Sequence, residues 1–214
     1  SFSPRGITVA SASAGSLLRI VNNFISLPLD NNNAGTSYGI YLGGSTDYNV
    51  DLLYNTIFIG GSHTGGTSGN VVTAGIYKVS TSDTTFYTQK NNICVNTRTG
   101  GTSGVFHVGS FIGVADGTLD VDYNNYYASG DPGSYSAGWL SMVYNDLGQY
   151  KSAASPHEQN SVFHAVNFVS ATDLHLTGSS VGDVMLTGTP LLDVAVDIDG
   201  QARHSSTPYM GADE

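Results

Sequence analysis

Basic side chains are scarce. The 214 residues hold seven Lys plus Arg against 17 Asp plus Glu, a net charge of −10. A nucleic-acid surface needs a cationic footprint on phosphate, so no nucleic-acid partner is expected. An anionic membrane surface needs the same footprint, and no membrane partner is expected either. The deficit also disfavours a strongly acidic polysaccharide such as polygalacturonate, unless a bound cation offsets the repulsion. Charge of either sign is rare, 11% of residues against the usual quarter or so. Cys94 is the only cysteine, which excludes an internal disulfide framework and reads as a small buried apolar residue. No apolar run approaches the roughly 20 residues that span a bilayer, and no long amphipathic helix stands out. What remains is Ser, Thr, Asn, 27 Gly and 13 Tyr, a composition suited to strands and tight turns.

The strand-like words recur. Gly6, Gly39, Gly75, Gly104 and Gly138 each open a short apolar word, with steps of 33, 36, 29 and 34. A second word, VNNFIS, YNTIFI, KNNICV and YNNYYA, has its first asparagines at Asn22, Asn55, Asn91 and Asn124, with steps of 33, 36 and 33. Glycine and asparagine keep one offset in three units, and the fourth reads as carrying four extra residues around GSFIGVADG. A unit this short cannot bury its own apolar face, but stacked copies can. The expected fold is therefore all-β: a right-handed parallel β-helix of about five coils, with coils over 1–145 and a last coil plus irregular C-terminal cap over 146–214 of the same domain.

Strand side chains alternate, so the second word predicts faces. Phe24, Ile57, Ile93 and Tyr126 should point inward with Ser26, Ile59, Val95 and Ala128. Outward positions go to Tyr54, Lys90 and Tyr123, to Thr56, Asn92 and Asn125, and to Ile25, Phe58, Cys94 and Tyr127. Asn22, Asn55, Asn91 and Asn124 should stack at a corner. In the first word Ile7, Ile40, Ile76 and Val105 read as inward and Tyr41, Tyr77 and Phe106 as outward. The next column, Val9, Leu42, Lys78 and His107, is ambiguous because a buried Lys78 is improbable. Trp139 reads as core or cap.

After about residue 146 the period dissolves. The segments NFVSATDLHLTGSS and DIDGQAR…MGADE resemble the C-terminal closing segments of secreted right-handed parallel β-helix proteins of the pectate-lyase-like superfamily. The resemblance covers roughly the last 60 residues; the coils before it match as generic repeats. It implies the fold and an extracellular bacterial setting, and it implies function weakly, because this ending occurs beside many activities. Asp197, Asp199 and Arg203 read as local ties. The DIDG spacing can also hold calcium, but the full loop signature is absent, so no cofactor is expected beyond that possibility. The chain begins inside a repeat, which reads as a module excised from a longer secreted chain, with other modules of that chain as partners.

A lyase or glycoside hydrolase needs a base or a carboxylate pair across a cleft. The carboxylates before the tail are Asp30, Asp47, Asp51, Asp83, Asp116, Asp120, Asp122, Asp131, Asp146 and Glu158. Asp120 and Asp122, on one strand face, are the weak catalytic candidates. The basic residues Arg19, Lys78, Lys90 and Arg98 are scattered, and the six histidines show no metal-ligand spacing. The favoured expectation is a non-catalytic carbohydrate-binding module, resembling the β-helical modules of plant-cell-wall hydrolases, with a neutral glycan such as xylan as ligand. Its binding residues would be Tyr54, Lys90, Asn92, Tyr123, Asn125 and Tyr127, or the second face of Tyr41, Tyr77 and Phe106 with Tyr38 and His107. The alternatives are a polysaccharide lyase or hydrolase of that superfamily, and a structural or adhesin spacer.

Overall fold

The computed structural model describes residues 3–10, 12–30, 35–44, 48–79, 86–130 and 133–214. The first coil is β1 (Arg5–Val9), β2 (Leu17–Val21) and β3 (Phe24–Leu27). The second is β4 (Ser37–Leu42), β5 (Asn49–Leu53), β6 (Thr56–Ile59) and a short β7 (Ser62–His63). The third is β8 (Val71–Lys78), β9 (Phe86–Lys90), β10 (Ile93–Asn96) and a short β11 (Thr99–Gly100). The fourth is β12 (Phe106–Ile112), β13 (Thr118–Asp122) and β14 (Asn125–Ala128). Each strand pairs in parallel with its counterpart one coil away, giving three long sheets. The solenoid makes about three turns, fewer than the expected five coils. A fifth level exists on one side only, as β15 (Ser134–Trp139), which β16 (Met142–Tyr144) then closes in antiparallel fashion.

The repeated glycine has a steric cause. Parallel pairing puts Gly39, Gly75 and Gly109 in one column. A Cβ on Gly39 would stand 2.5 Å from the Gly75 carbonyl oxygen, and one on Gly75 2.5 Å from that of Gly109. The fourth member is thus Gly109, not Gly104, and the fourth coil carries no insertion between glycine and asparagine. The inward residue that follows is Ile40, Ile76 and then Ser110, so Val105 is not the fourth member.

The asparagine ladder is real, but one residue out of the expected register in two coils. Asn23 Nδ2 donates to Asn55 Oδ1 at 2.9 Å, Asn55 Nδ2 to Asn92 Oδ1 at 2.9 Å, and Asn92 Nδ2 to Asn124 Oδ1 at 3.0 Å. The residues just before them, Asn22, Tyr54, Asn91 and Tyr123, all turn the corner at φ between 53° and 57°. Shifting a strand by one residue exchanges its faces. The inward column is therefore Ile25, Ile57, Cys94 and Tyr126, so Ile25 and Cys94 point in, and Phe24 and Ile93 do not belong to it.

The lumen is packed with apolar columns, among them Val9, Leu42, Ile112 and Trp139. Lys78 completes that column and is buried after all. Its ammonium donates to the Val114 carbonyl at 2.9 Å and pairs with Asp116 at 3.1 Å. Burial pulls its pKa down and the Asp116 bond opposes the shift.

The C-terminal segment does two jobs. The helix α1 (Leu147–Ala154), capped by Asp146 accepting from Gln149 N, puts Tyr150 and Ala154 on the end of the lumen. The rest, including the hairpin β17 (Phe168–Ser170) and β18 (Asp173–Leu176), does not stay at that end. It runs back along the third sheet and the asparagine corner. Val162 bridges Asn125, Phe168 meets Phe58 edge-on, Thr189 N donates to Asn91 Oδ1, and Asp193 pairs with Arg19. The expected cap is in fact a belt along the whole stack.

If the ladder fixes the register, Asn55→Ala removes two of its rungs and takes a partner each from the half-buried Asn23 and the buried Asn92 carboxamides. We expect a loss of about 2–4 kcal/mol in urea unfolding, against under about 0.5 kcal/mol for an exposed polar change such as Ser13→Ala.

Candidate functional site

The belt decides which surfaces are open. Tyr54 is fully buried; its hydroxyl donates to the Thr189 carbonyl at 2.9 Å and the Arg203 guanidinium lies 3.8 Å over its ring. Asn92 is a buried rung of the ladder, and Asn125 exchanges two hydrogen bonds with the His164 backbone. Tyr127 and Phe58 pack under Leu186, Met210 and Phe168. Lys90 stands in the column of Leu53 and Asp122 and pairs with Asp120 at 2.7 Å. Tyr123 is half-buried in the corner column with Tyr54. The expected Tyr54–Lys90–Tyr123 ladder therefore does not form. Its residues straddle two columns, and Tyr54, Asn92 and Asn125 are closed to solvent.

The outer face of the first sheet is different, because no part of the belt crosses it. Register places Tyr41, Tyr77 and Phe111 in one column, so the third aromatic is Phe111 rather than Phe106. Tyr38 joins them from the neighbouring column. The Tyr38 and Tyr77 rings stack 4.4 Å apart, Tyr38 and Tyr41 5.5 Å, and Tyr77 and Phe111 5.4 Å. Arg5 covers one face of Tyr41 at 3.7 Å. Phe106 lies further along this face, edge-on to Tyr135 at 5.3 Å. His107 points the other way and is buried.

These rings, Tyr41 and Tyr135 excepted, floor an open groove of about 560 Å³. Tyr38, Tyr77, Phe106, Phe111, Val71 and Val143 give it an apolar base. Thr36, Thr67, Asn70 and Ser141 supply neutral hydrogen-bonding groups, and among the described residues no charged side chain lines it. Burial, then the neighbouring Tyr77, pushes the Tyr38 phenol well up, and burial does the same to Tyr77. Both are neutral hydroxyls at ordinary pH.

The catalytic candidates share a strand face without facing a cleft. Asp120 is exposed and salted to Lys90. Asp122 accepts from Asn160 N and Nδ2 at 2.7 Å each, and from Tyr123 N, so both its oxygens hold the belt in place. Asp47, Asp83 and Asp131 lie outside the described residues. Among the described residues the most buried carboxylate is Glu158, sealed in the end of the lumen. It accepts from Tyr126 at 2.8 Å, from Tyr150 at 2.7 Å and from Ser161.

Spacing alone shows no metal set, yet the fold brings His175 together with Asp199 and Asp213, their ligand atoms all within 4.8 Å of one another. Calcium prefers an all-oxygen shell, and the DIDG loop does not offer one. Asp197 spends Oδ1 on Asp199 N and Gln201 N and Oδ2 on Glu214 N. His175 bridges Asp173 and Asp199 through its two ring nitrogens, and the Asp173 bond raises its pKa. Those contacts describe a charge-paired clasp on the belt.

Burial raises the Glu158 pKa, partly opposed by its hydroxyl donors. A carboxyl whose folded pKa is raised binds its proton more tightly folded than unfolded. Stability from this group is full below the ordinary Glu value and lost as pH climbs from there through the folded pKa. The difference in urea midpoint between wild type and Glu158→Gln should therefore shift in favour of the variant as pH rises from 4 upward; a difference flat in pH would contradict a proton held at Glu158. No protein-family model, curated protein or solved structure matches this chain; its assignment as a parallel β-solenoid stands on its own coordinates.

Proposed function

We propose that the chain is a non-catalytic carbohydrate-binding module that takes a neutral glycan in the groove on the outer face of the first sheet. One observation carries this: an open groove with an aromatic and aliphatic floor, neutral hydroxyl and amide walls, and no charged side chain among the described residues of its lining. A pyranose offers the complementary surfaces, an apolar C–H face for the floor and a rim of hydroxyls for the walls. Within the groove Tyr77 and Phe111 stand one strand spacing apart, about 4.8 Å, close to the rise of one sugar in an extended chain. A chain such as xylan lying along the solenoid axis would meet a similar set of groups at each residue. The resemblance of the closing motif to secreted pectate-lyase-like proteins supports the same reading, with an extracellular, bacterial setting and a polysaccharide-degrading parent chain.

A structural spacer is the rival. It draws on the mutual stacking of Tyr38, Tyr41 and Tyr77, which uses part of their ring faces to stiffen the sheet. Affinity electrophoresis against xylan, mannan, mixed-linkage glucan and pectin separates the two. The proposal expects retardation by a neutral glycan, a loss of about tenfold or more in affinity for Tyr77→Ala, and little change for Tyr127→Ala beneath the belt. Unretarded migration in every glycan would leave the spacer. Reducing or unsaturated ends released in the same samples would reinstate a hydrolase or lyase.

A further inference from the structure

Three cations are buried in this fold, and two have carboxylate partners: Lys78 with Asp116, and Arg203 with Glu214. Arg98 is the third. Its side chain is wholly buried, and among the described residues no carboxylate lies within ion-pair distance. Nη1 donates to the Gly60 carbonyl at 2.9 Å, whereas Nε and Nη2 have no partner.

The surroundings are short of partners in the same way. His63, on β7 one coil away, is buried with both ring nitrogens unpaired. The pairing of β7 with β11 sets Ser62 against Thr99 and His63 against Gly100, which puts Arg98 and His63 on one side of that small sheet. A polar column, Ser37–Thr73–His107–Ser134, crosses the adjoining edge of the first sheet. Thr73 and His107 satisfy each other at 2.8 Å, but the Ser37 and Ser134 hydroxyls are buried and unpaired. The hexapeptide Thr-Gly-Gly-Thr-Ser-Gly occurs twice, at 64–69 and 99–104, and its two copies close over His63. A Cβ on Gly66 would come 3.7 Å from His63 Nε2, and one on Gly101 3.3 Å from the His63 ring.

A buried guanidinium with unpaired N–H groups needs both hydrogen-bond acceptors and a counter-charge. Water supplies only the first. Among the described residues Asp30 is the one carboxylate whose charge reaches Arg98, but it is exposed and its Oδ1 already takes Ser62 N and Oγ. We propose that Arg98 Nε and Nη2, with an N–H of His63, hold a small monovalent anion of halide size inside the solenoid. Burial, and then the Arg98 charge, lower the His63 pKa to about 4. The ring is neutral at ordinary pH and offers a single N–H donor, so the site carries one positive charge for one negative ion. It lies beneath the 64–69 loop that also borders the glycan groove, but it does not depend on that reading.

The test begins with the whole chain exchanged into sodium gluconate. Sodium chloride is then titrated in at constant ionic strength while the thermal midpoint is read. Binding predicts a rise that sets in above a threshold and then grows by roughly 3–6 °C for each tenfold of chloride, and that Arg98→Met abolishes. Crystals of the wild-type chain soaked in bromide should show an anomalous peak against Arg98 Nε and Nη2, which decides the matter even if the variant does not fold. An ordered water with no bromide peak, or the same chloride response in both proteins, overturns the proposal.

Discussion

Every coil of this protein turns the same corner, and the corner sets the register of everything stacked on it. A residue in the left-handed region comes first, and an asparagine follows whose carboxamide bonds to the next asparagine and to the backbone of the coil before. The left-handed conformation costs an ordinary L-residue roughly 1–2 kcal/mol, and asparagine less. Two coils put asparagine there, at Asn22 and Asn91; two put Tyr54 and Tyr123 there. For Tyr54 the cost is offset by burial of its ring under Arg203 and Val194. The ladder ends where Asn124 N donates to Ser161 Oγ, so the last rung hands its hydrogen bond to the belt.

The belt then divides the surface. It covers the asparagine corner and the third sheet, where most of the outward aromatic residues of the second word lie. The first sheet is left clear of the belt, and that is why the groove lies there. Scarcity of charge works in the same direction. The few cations are mostly spent on fastening: Arg19 and Arg203 hold the belt and Lys78 sits inside the coil, while Arg5 lies over Tyr41 on the open face.

Much of the architecture was legible because two words recur at one interval, which only a stack of coils explains. The register was not. NN occurs at 22–23, 91–92 and 124–125, while the second coil has Tyr-Asn. Aligning the first asparagine of each word was right for Asn55 and Asn124 and one residue early for the other two, which sent Ile25 and Cys94 to the wrong face. The alternative alignment had a visible signal: it places Ile25, Ile57, Cys94 and Tyr126 in one apolar column. Lys78 defied its hydropathy because its partner, Asp116, comes from the loop one coil further on. The return path of residues 160–214 left no periodic trace, since its ties are scattered side-chain contacts to distant coils, such as Ala212 N to Thr56 Oγ1. That is why Tyr54 looked available on sequence and is not.

The side-chain amides of the ladder report on it directly. Hydrogen exchange of the assigned carboxamide protons of Asn23, Asn55, Asn92 and Asn124 by NMR would test it. A ladder that holds the coils in register gives slow exchange at Asn55, Asn92 and Asn124, on the timescale of the core backbone amides, with Asn23 at the half-buried end of the row less protected. Exchange at all four as fast as in exposed asparagines would mean that the coils are held in register by something else.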